Sequence, residues 1–328
     1  MNKKIDKNKD TTNSRYYALV AASFGHNYIL YTQDNQYLEA RFKGKTSRAV
    51  VGDIVEIDIT AYSGNSTDLN NENNTKPKAS QASIINIQPR KNLLYRSDKN
   101  KSKSFASNLD HVLLVAATEP SFNPILIDRA IIACEAENIP LTIILNKCDI
   151  LDKLEYARQQ LDIYKNLGYE IIELSSVNNP NQIIDLFNNY KHLHKSCLLI
   201  GQSGMGKSSL INTYMPEIKL KIQNISNKLD SGKHTTTHTK LYKFFEGEND
   251  NNFRNGYIID SPGFQLFGLE HLSNSQIVHG FKEFKPFFGM CKFHNCTHTH
   301  EPQCKLIEAV RDKQISEIRL NNYKQIIQ

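Results

Sequence analysis

The sequence predicts a multidomain protein: an N-terminal β-barrel, a central α/β unit on a parallel sheet, and a small helical C-terminal unit gathered around cysteine and histidine. Three observations carry that expectation. Short stretches of alternating apolar residues fill the region from Tyr16 to Ile87, strand-like and helix-like runs alternate from His111 to Ile200, and Cys291, Cys296 and Cys304 lie close together among histidines.

The bulk properties set the frame. At 328 residues the chain exceeds one comfortable hydrophobic core. A net charge of +6 permits a polyanionic partner such as RNA without establishing one. No run approaches a membrane span, and the start, Met1 to Lys7, lacks the apolar core of a signal peptide, so a cytoplasmic monomer with no membrane attachment is expected. In that compartment the 6 cysteines argue for thiols and metal ligation rather than disulfides.

Residues 1–13 are charged and Asn/Thr-rich, without apolar periodicity, and read as a flexible tail. The barrel is assigned to 14–90, with strands at Tyr17–Ala22, Asn27–Tyr31, Tyr37–Phe42, Asp53–Asp58 and Ser83–Ile87. This spacing suits the oligonucleotide-binding OB-fold; small barrels of this kind bind RNA or dock proteins. Ser63–Gln81 is polar and Asn-rich, hence an exposed loop. Arg90–Lys103 is strongly cationic and reads as a linker, either following a phosphate backbone or serving as a solvated hinge.

From 91 to 267 the expected unit is α/β. Strands are predicted at His111–Ala117, Leu141–Leu145, Glu170–Leu174 and Ser196–Ile200, with helices at Ile125–Glu137, Leu154–Leu167 and Gln182–Asn189. Ligands of such sheets sit beyond the carboxyl ends of the strands. After the last of these strands comes the run Gly201, Gln202, Ser203, Gly204, Met205, Gly206, Lys207, Ser208 and Ser209, which opens a helix. Glycine lets successive backbone N–H groups turn toward phosphate oxygens, Lys207 can reach the outer phosphates, Ser208 can ligate Mg²⁺, and the helix start adds its positive dipole end. A nucleoside triphosphate is therefore the expected ligand.

Other loops on the same rim refine that ligand. Asn146, Lys147 and Asp149 follow a strand, where the aspartate can accept the ring N–H and exocyclic amine of guanine, the asparagine can meet its other edge, and the lysine stem can cover the ring. Adenine offers the wrong donors, so GTP is selected over ATP. Ser175 and Ser176 end the next strand and either meet the guanine carbonyl or make an ordinary turn. Asp260 and Gly263, in Asp-Ser-Pro-Gly after the strand-like Asn255–Ile259, can hold the Mg²⁺ shell and the terminal phosphate. Between the phosphate cradle and this loop, Ser231–Thr239 is polar enough to close over the nucleotide. Thr235 and Thr236 are its candidate nucleotide contacts, and one of its threonines should complete the Mg²⁺ shell; spacing does not say which.

The residues 268–328 form the C-terminal unit. Cys291, Cys296 and Cys304 with one imidazole make a Cys₃His set that suits one structural zinc, since four protein ligands leave no open position. His294, His298 and His300 are the candidate imidazoles. Cys134, Cys148 and Cys197 lie in apolar or strand-end contexts and read as small buried hydrophobes. Leu306–Val310 and Ile315–Ile327 read as closing helices.

Hydrolysis needs a water held in line with the terminal phosphate, commonly by a glutamine just after the Asp-x-x-Gly loop. That place holds Phe264, and Gln265 comes one residue late, so slow intrinsic turnover is expected, with His234 the best-placed alternative for orienting the water.

The guanine-reading tetrad here precedes the phosphate cradle, the reverse of ordinary GTPases. With Asp128-Arg129, Asn-Lys-x-Asp, Gly-Gln-Ser-Gly-x-Gly-Lys-Ser, Gly-Lys-His-Thr-Thr-Thr, Asp-Ser-Pro-Gly and Cys-x4-Cys-x-His-x-x-Glu-Pro-x-Cys, the chain from Tyr17 to Ile327 resembles the circularly permuted GTPases of small ribosomal subunit biogenesis, the RsgA family. The resemblance implies a GTPase that binds the small ribosomal subunit and its rRNA, is stimulated by it, leaves after hydrolysis to GDP, and acts late in subunit maturation. It selects His298 as the zinc-ligating imidazole and supports His234 in catalysis. It also shows one departure, Gln303 where the family has glycine. Two other readings stand beside it: a nucleotide-gated RNA-binding module with incidental hydrolysis, and an ATP-driven enzyme, against which Asn146 and Asp149 speak.

Overall fold

The computed structural model describes residues 16–34, 36–43, 48–58, 81–98, 101–216, 239–244, 256–261 and 267–328. The strands β1 (Tyr16–Phe24), β2 (Asn27–Thr32), β3 (Tyr37–Phe42), β4 (Ile54–Asp58) and β5 (Gln81–Ile87) fall where alternation placed them. They pair in the order β1-β2-β3-β5-β4, and β4 returns to β1, so the sheet closes and leaves no open edge. Alternate residues point inward, among them Ala18, Val20, Tyr28, Leu30, Val55 and Ile84.

The cationic stretch after the barrel is not a linker. β6 (Leu93–Asp98) and β7 (Lys101–Ser107) form an antiparallel hairpin, with Leu93 opposite Ser107 and Asp98 opposite Lys101. Its charges hid the apolar anchors Leu94, Phe105 and Ala106, which enter the core. The barrel is fastened to this hairpin by fully buried Asp53, whose carboxylate accepts from Ser107 Oγ at 2.6 Å and from the Arg90 Nε and Nη2 at 2.7 Å. Gly52 is obligatory beside it: at φ +93° an added Cβ would lie 2.3 Å from the Ser107 carbonyl oxygen.

The α/β unit follows as β8 (His111–Ala117), α1 (Pro124–Ala136), β9 (Leu141–Asn146), α2 (Leu151–Asn166), β10 (Glu170–Glu173), α3 (Pro180–His192), β11 (Cys197–Ile200), α4 (Lys207–Tyr214), β12 (Lys240–Lys243) and β13 (Tyr257–Asp260). Across the sheet the order is β10-β9-β8-β11-β13-β12, parallel except for β12, so the strand feeding the phosphate cradle is central although it comes late in the chain. The strands β8, β9, β11 and β13 are buried on both faces and sort their side chains with period two. Val112, Leu114, Leu198 and Ile200 enter the core under α1 and α2, whereas Leu113, Val115, Cys197 and Leu199 enter the core under α3 and α4.

β12 also meets β1 through Ala22 opposite Lys240, joining barrel and α/β sheet. Leu19 and Ala21, on the outer face of β1, belong to the same core as α1. Beyond the sheet come α5 (Asn274–His279), a 3₁₀ turn at Lys282–Phe287, α6 (Lys305–Arg311) and α7 (Glu317–Ile326). α5 opens with a reciprocal Ser273/Gln276 capping box. Phe281 and Phe284 stack at 4.7 Å, and Tyr323 of α7 meets both edge-on. The C-terminal unit is latched to α1 by Asp128, fully buried, which accepts from Arg319, from Asn322 Nδ2 at 2.5 Å and from the Tyr164 hydroxyl at 2.8 Å. Arg319, 1% exposed, also donates Nε to Glu283 at 2.6 Å and lies over the Phe281 ring.

Candidate functional site

The phosphate-cradle residues lie at the carboxyl end of central β11. Gly201 has φ +150°, and a Cβ there would strike the Val115 carbonyl oxygen at 2.2 Å. Met205 is buried in the core under α4, so its side chain anchors the loop and only its backbone faces outward. Lys207 begins α4 and is nearly buried; its ammonium donates to the carbonyls of Gly201 at 2.7 Å and Gln202 at 3.1 Å. Burial lowers the Lys207 pKa, and nearby Asp260 opposes that shift. Ser203, Gly204, Ser208 and Ser209 are exposed on this rim. Gln202 Oε1 accepts from the backbone N–H of Asn123, which caps α1.

The Asn-Lys-x-Asp residues are tied to this loop. Asn146, at the end of β9, donates Nδ2 to the Met205 carbonyl at 2.9 Å. Gly206 permits the approach: at φ +92° a Cβ would sit 2.3 Å from that same Nδ2. The other amide atom, Asn146 Oδ1, is buried without a hydrogen-bond partner among the described residues, as is Ser176 Oγ. Lys147, at φ +61°, donates Nζ to the Glu119 carbonyl at 2.7 Å. Asp149 Oδ1 accepts from Ser175 Oγ at 2.7 Å, and Ser175 Oγ also accepts from the N–H groups of Val177 and Asn178. Ser175 thus makes the turn and orients the aspartate at once.

Asp260 ends β13 beside the cradle strand, opposite Leu199, and Ser261 donates N–H and Oγ to the Leu199 carbonyl. Gly263, His234, Thr235 and Thr236, with Phe264 and Gln265, lie outside the described residues. Of the segment Ser231–Thr239 only Thr239 is described, and it is buried just before β12.

A second cluster lies in the C-terminal unit. The ligand atoms of Cys291, Cys296, His298 and Cys304 all lie within 4.8 Å of one another, and among the described residues no other His, Cys, Asp and Glu group converges so. His298 Nδ1 stands 3.5 Å from Cys291 Sγ and 3.4 Å from Cys304 Sγ. His294 and His300 are outside the group. Burial, with thiol neighbours, raises the Cys296 pKa, and a bound cation would favour the thiolates. Sequence reasoning missed what shapes the loop: the Glu301 carboxylate accepts from the Thr297 N–H and hydroxyl, the Thr299 N–H and the His300 N–H. Burial raises the Glu301 pKa, but these donors outweigh it and leave the carboxyl well below its usual range. The signal was its place in Glu-Pro-x-Cys, but nothing in spacing reveals a carboxylate that gathers backbone donors. Donor set, count and closure fit a structural metal.

A phosphate cradle and a guanine-type tetrad on the rim of one parallel sheet, visited in rotated order, define a circularly permuted P-loop GTPase. The RsgA GTPase family matches residues 87–270. The chain is 40% identical over 317 residues, 96% of its length and 94% of the relative's, to the small ribosomal subunit biogenesis GTPase RsgA of Paraburkholderia xenovorans. Among solved structures it is similar to YjeQ from Thermotoga maritima (TM-score 0.63, 26% identity, 95% of this chain and 97% of the other). YloQ, described as a circularly permuted GTPase, shares the fold (TM-score 0.62, 21% identity, 97% and 95%). The chain belongs to the RsgA family of GTP hydrolases.

Proposed function

We propose that this chain binds GTP with Mg²⁺ on the rim around Gly201–Ser209, hydrolyses it to GDP and phosphate slowly by itself and faster on the small ribosomal subunit, and serves late maturation of that subunit in the cytoplasm. The observation that carries the reading is Asn146, whose amide nitrogen donates to the cradle carbonyl of Met205 at 2.9 Å. One residue thereby joins a base-reading loop to a phosphate loop.

In this reading Asp149, aligned by Ser175, accepts two guanine donors, Asn146 meets the base's other edge, the Lys147 stem covers the ring, and Ser176 lies at the guanine carbonyl. Lys207 exchanges its loop carbonyls for the outer phosphates, a charge-assisted contact. The N–H groups from Gln202 to Ser209 and that of Gly263 face the phosphate chain, with Thr235 and Thr236 closing over it. Ser208, Asp260 and a threonine of 231–239 would hold Mg²⁺, which when bound neutralises phosphate charge. His234 orients the attacking water. Cys291, Cys296, His298 and Cys304 would hold one zinc that fixes the C-terminal unit.

The relatives' name supports the small ribosomal subunit as partner, and its rRNA is a polyanion that the net charge of +6 suits. No helix among the described residues is long and apolar enough to cross a membrane. GTP turnover with purified small and with large ribosomal subunits is the test. Selective acceleration by small subunits is expected; equal turnover with neither subunit stimulating would overturn the assignment. Lys207→Ala separates the runner-up, because an RNA-binding module would keep nucleotide-independent subunit binding.

A further inference from the structure

Adjacent residues on a helix point about 100° apart, and on α1 two adjacent charges take different partners. Arg129 donates Nε at 2.9 Å and Nη2 at 2.6 Å to one acceptor, the Phe267 carbonyl. Asp128 receives Arg319 and Asn322 of α7. The same helix touches the cradle at its start, through the Asn123 N–H on Gln202.

The Phe267–Glu270 segment is held from its other side as well. Gly268 donates its N–H to the Tyr95 carbonyl at 3.0 Å, and a Cβ at Gly268 would lie 2.7 Å from the Arg96 backbone. Glu270 accepts from Ser97 and Ser102 of the hairpin and stands 3.6 Å from Arg129. Upstream in the chain, Ser261 is fixed on Leu199 at the end of β13. Phe267 also lines one pocket with Gly201 and Gln202 of the phosphate loop, so the residue whose carbonyl Arg129 holds borders that loop.

α7 extends the connection. The Tyr323 hydroxyl donates to the Thr297 carbonyl at 2.9 Å, inside the loop that carries His298. Contacts thus run without a break from that loop through Tyr323 and α7 to Asp128, and from Arg129 to Phe267.

We propose that Arg129 is a positioning residue for GTP hydrolysis, and that Asp128 makes this positioning depend on how the C-terminal unit is seated. A guanidinium fork fixes a carbonyl in direction as well as distance, which an ammonium cannot do. Hydrolysis is sensitive to that precision, since a displacement of about 1 Å costs on the order of a hundredfold in rate. A partner that shifts the C-terminal unit would reach the phosphate site by this route. The inference rests on the reading of the rim as a GTP site.

The test uses full-length Arg129→Lys, Arg129→Gln and Asn322→Ala, and the Arg129→Lys/Asn322→Ala double variant. Steady-state turnover with small subunits, GDP affinity, metal content and amide exchange at Gly268 are measured. Arg129→Lys should lower kcat about tenfold or more while KM, GDP affinity and metal content stay within about twofold of wild type. Asn322→Ala should speed Gly268 exchange and lower kcat less, and the double variant should fall short of the product of the two. Unchanged kcat in both Arg129 variants overturns the positioning role, as does a parallel loss of kcat and GDP affinity. Unchanged Gly268 exchange in Asn322→Ala overturns the link to Asp128 alone. Absence of GTP turnover in the wild-type chain removes the proposed function, while Gly268 exchange still decides the link.

Discussion

The rim of the sheet and the cysteine cluster both gather residues from separated segments, yet they hold them by different means. Asn146, Lys207 and Asp260 are 1%, 7% and 4% exposed and sit at ends of elements whose register is set by backbone pairing and by cores on both faces of the sheet. Residues 288–304 contain no helix or strand, and what shapes them is the Glu301 carboxylate, the Tyr323 hydroxyl and the four converging ligands. A cluster built that way is consistent with a metal site, whose cation would couple to the folding of the loop. The lesson is that one site is prepared by the fold, while the other helps prepare the fold around it.

The sharpest break of this contrast is metal removal. Cys304→Ser, or chelation of the wild type, should abolish stoichiometric metal and most of the structure between 288 and 304, because structural zinc contributes about 10–16 kcal/mol in small domains. GDP affinity should fall by less than about tenfold, the equivalent of about 1.4 kcal/mol. Metal analysis with amide exchange reads the first, and fluorescent GDP titration reads the second. Collapse of GDP binding together with the metal would mean that the two regions are a single cooperative unit.

Next in size is the latch between them. Asp128→Asn leaves Arg319 buried without its full countercharge and should cost about 3–5 kcal/mol, measured by denaturant midpoint at unchanged slope. A cost under about 1 kcal/mol would put the latch in the class of surface ion pairs.

Within the rim, Asp149→Ala should weaken GDP and GTP together by about 1.5–3 kcal/mol, the worth of hydrogen bonds to a charged acceptor, with no change in melting temperature. Lys207→Ala should lose affinity of similar size without unfolding, since among the described residues the ammonium donates to its own loop's carbonyls. Isothermal titration distinguishes these from a folding defect.

The smallest effect tests the cluster's own backbone. Gln303 is left-handed at φ +56°, a conformation that costs a side-chain-bearing residue about 1 kcal/mol or more. Gln303→Gly should therefore retain metal a few-fold better in chelator competition, less the entropy of the freer unfolded chain. Weaker retention would show that the glutamine side chain supports the loop.

Much of this was legible in the residues. Val112 to Val115 alternate between two cores, and that period is visible as a continuous apolar run; Gly201, Gly206 and Lys207 announce their loop by spacing alone. The barrel strands were read correctly because alternation survives translation into structure. The β6–β7 hairpin was not, since its lysines and arginines masked Leu94 and Phe105, and its partners at Phe267 and Glu270 are remote in sequence. Asp128-Arg129 stood out as a dipeptide, but its two roles needed the position of α7 and of Phe267.

The sequence alone determined which residues could meet phosphate, guanine and metal, because those chemistries demand particular side chains at short, local spacings. His298 was already singled out by the motif match and does join the thiols, whereas only the tertiary structure decided that Asn146 touches the cradle and that α1 connects the two regions. These depend on contacts between residues far apart in the chain, whose geometry is set by packing and burial and leaves no local pattern to read.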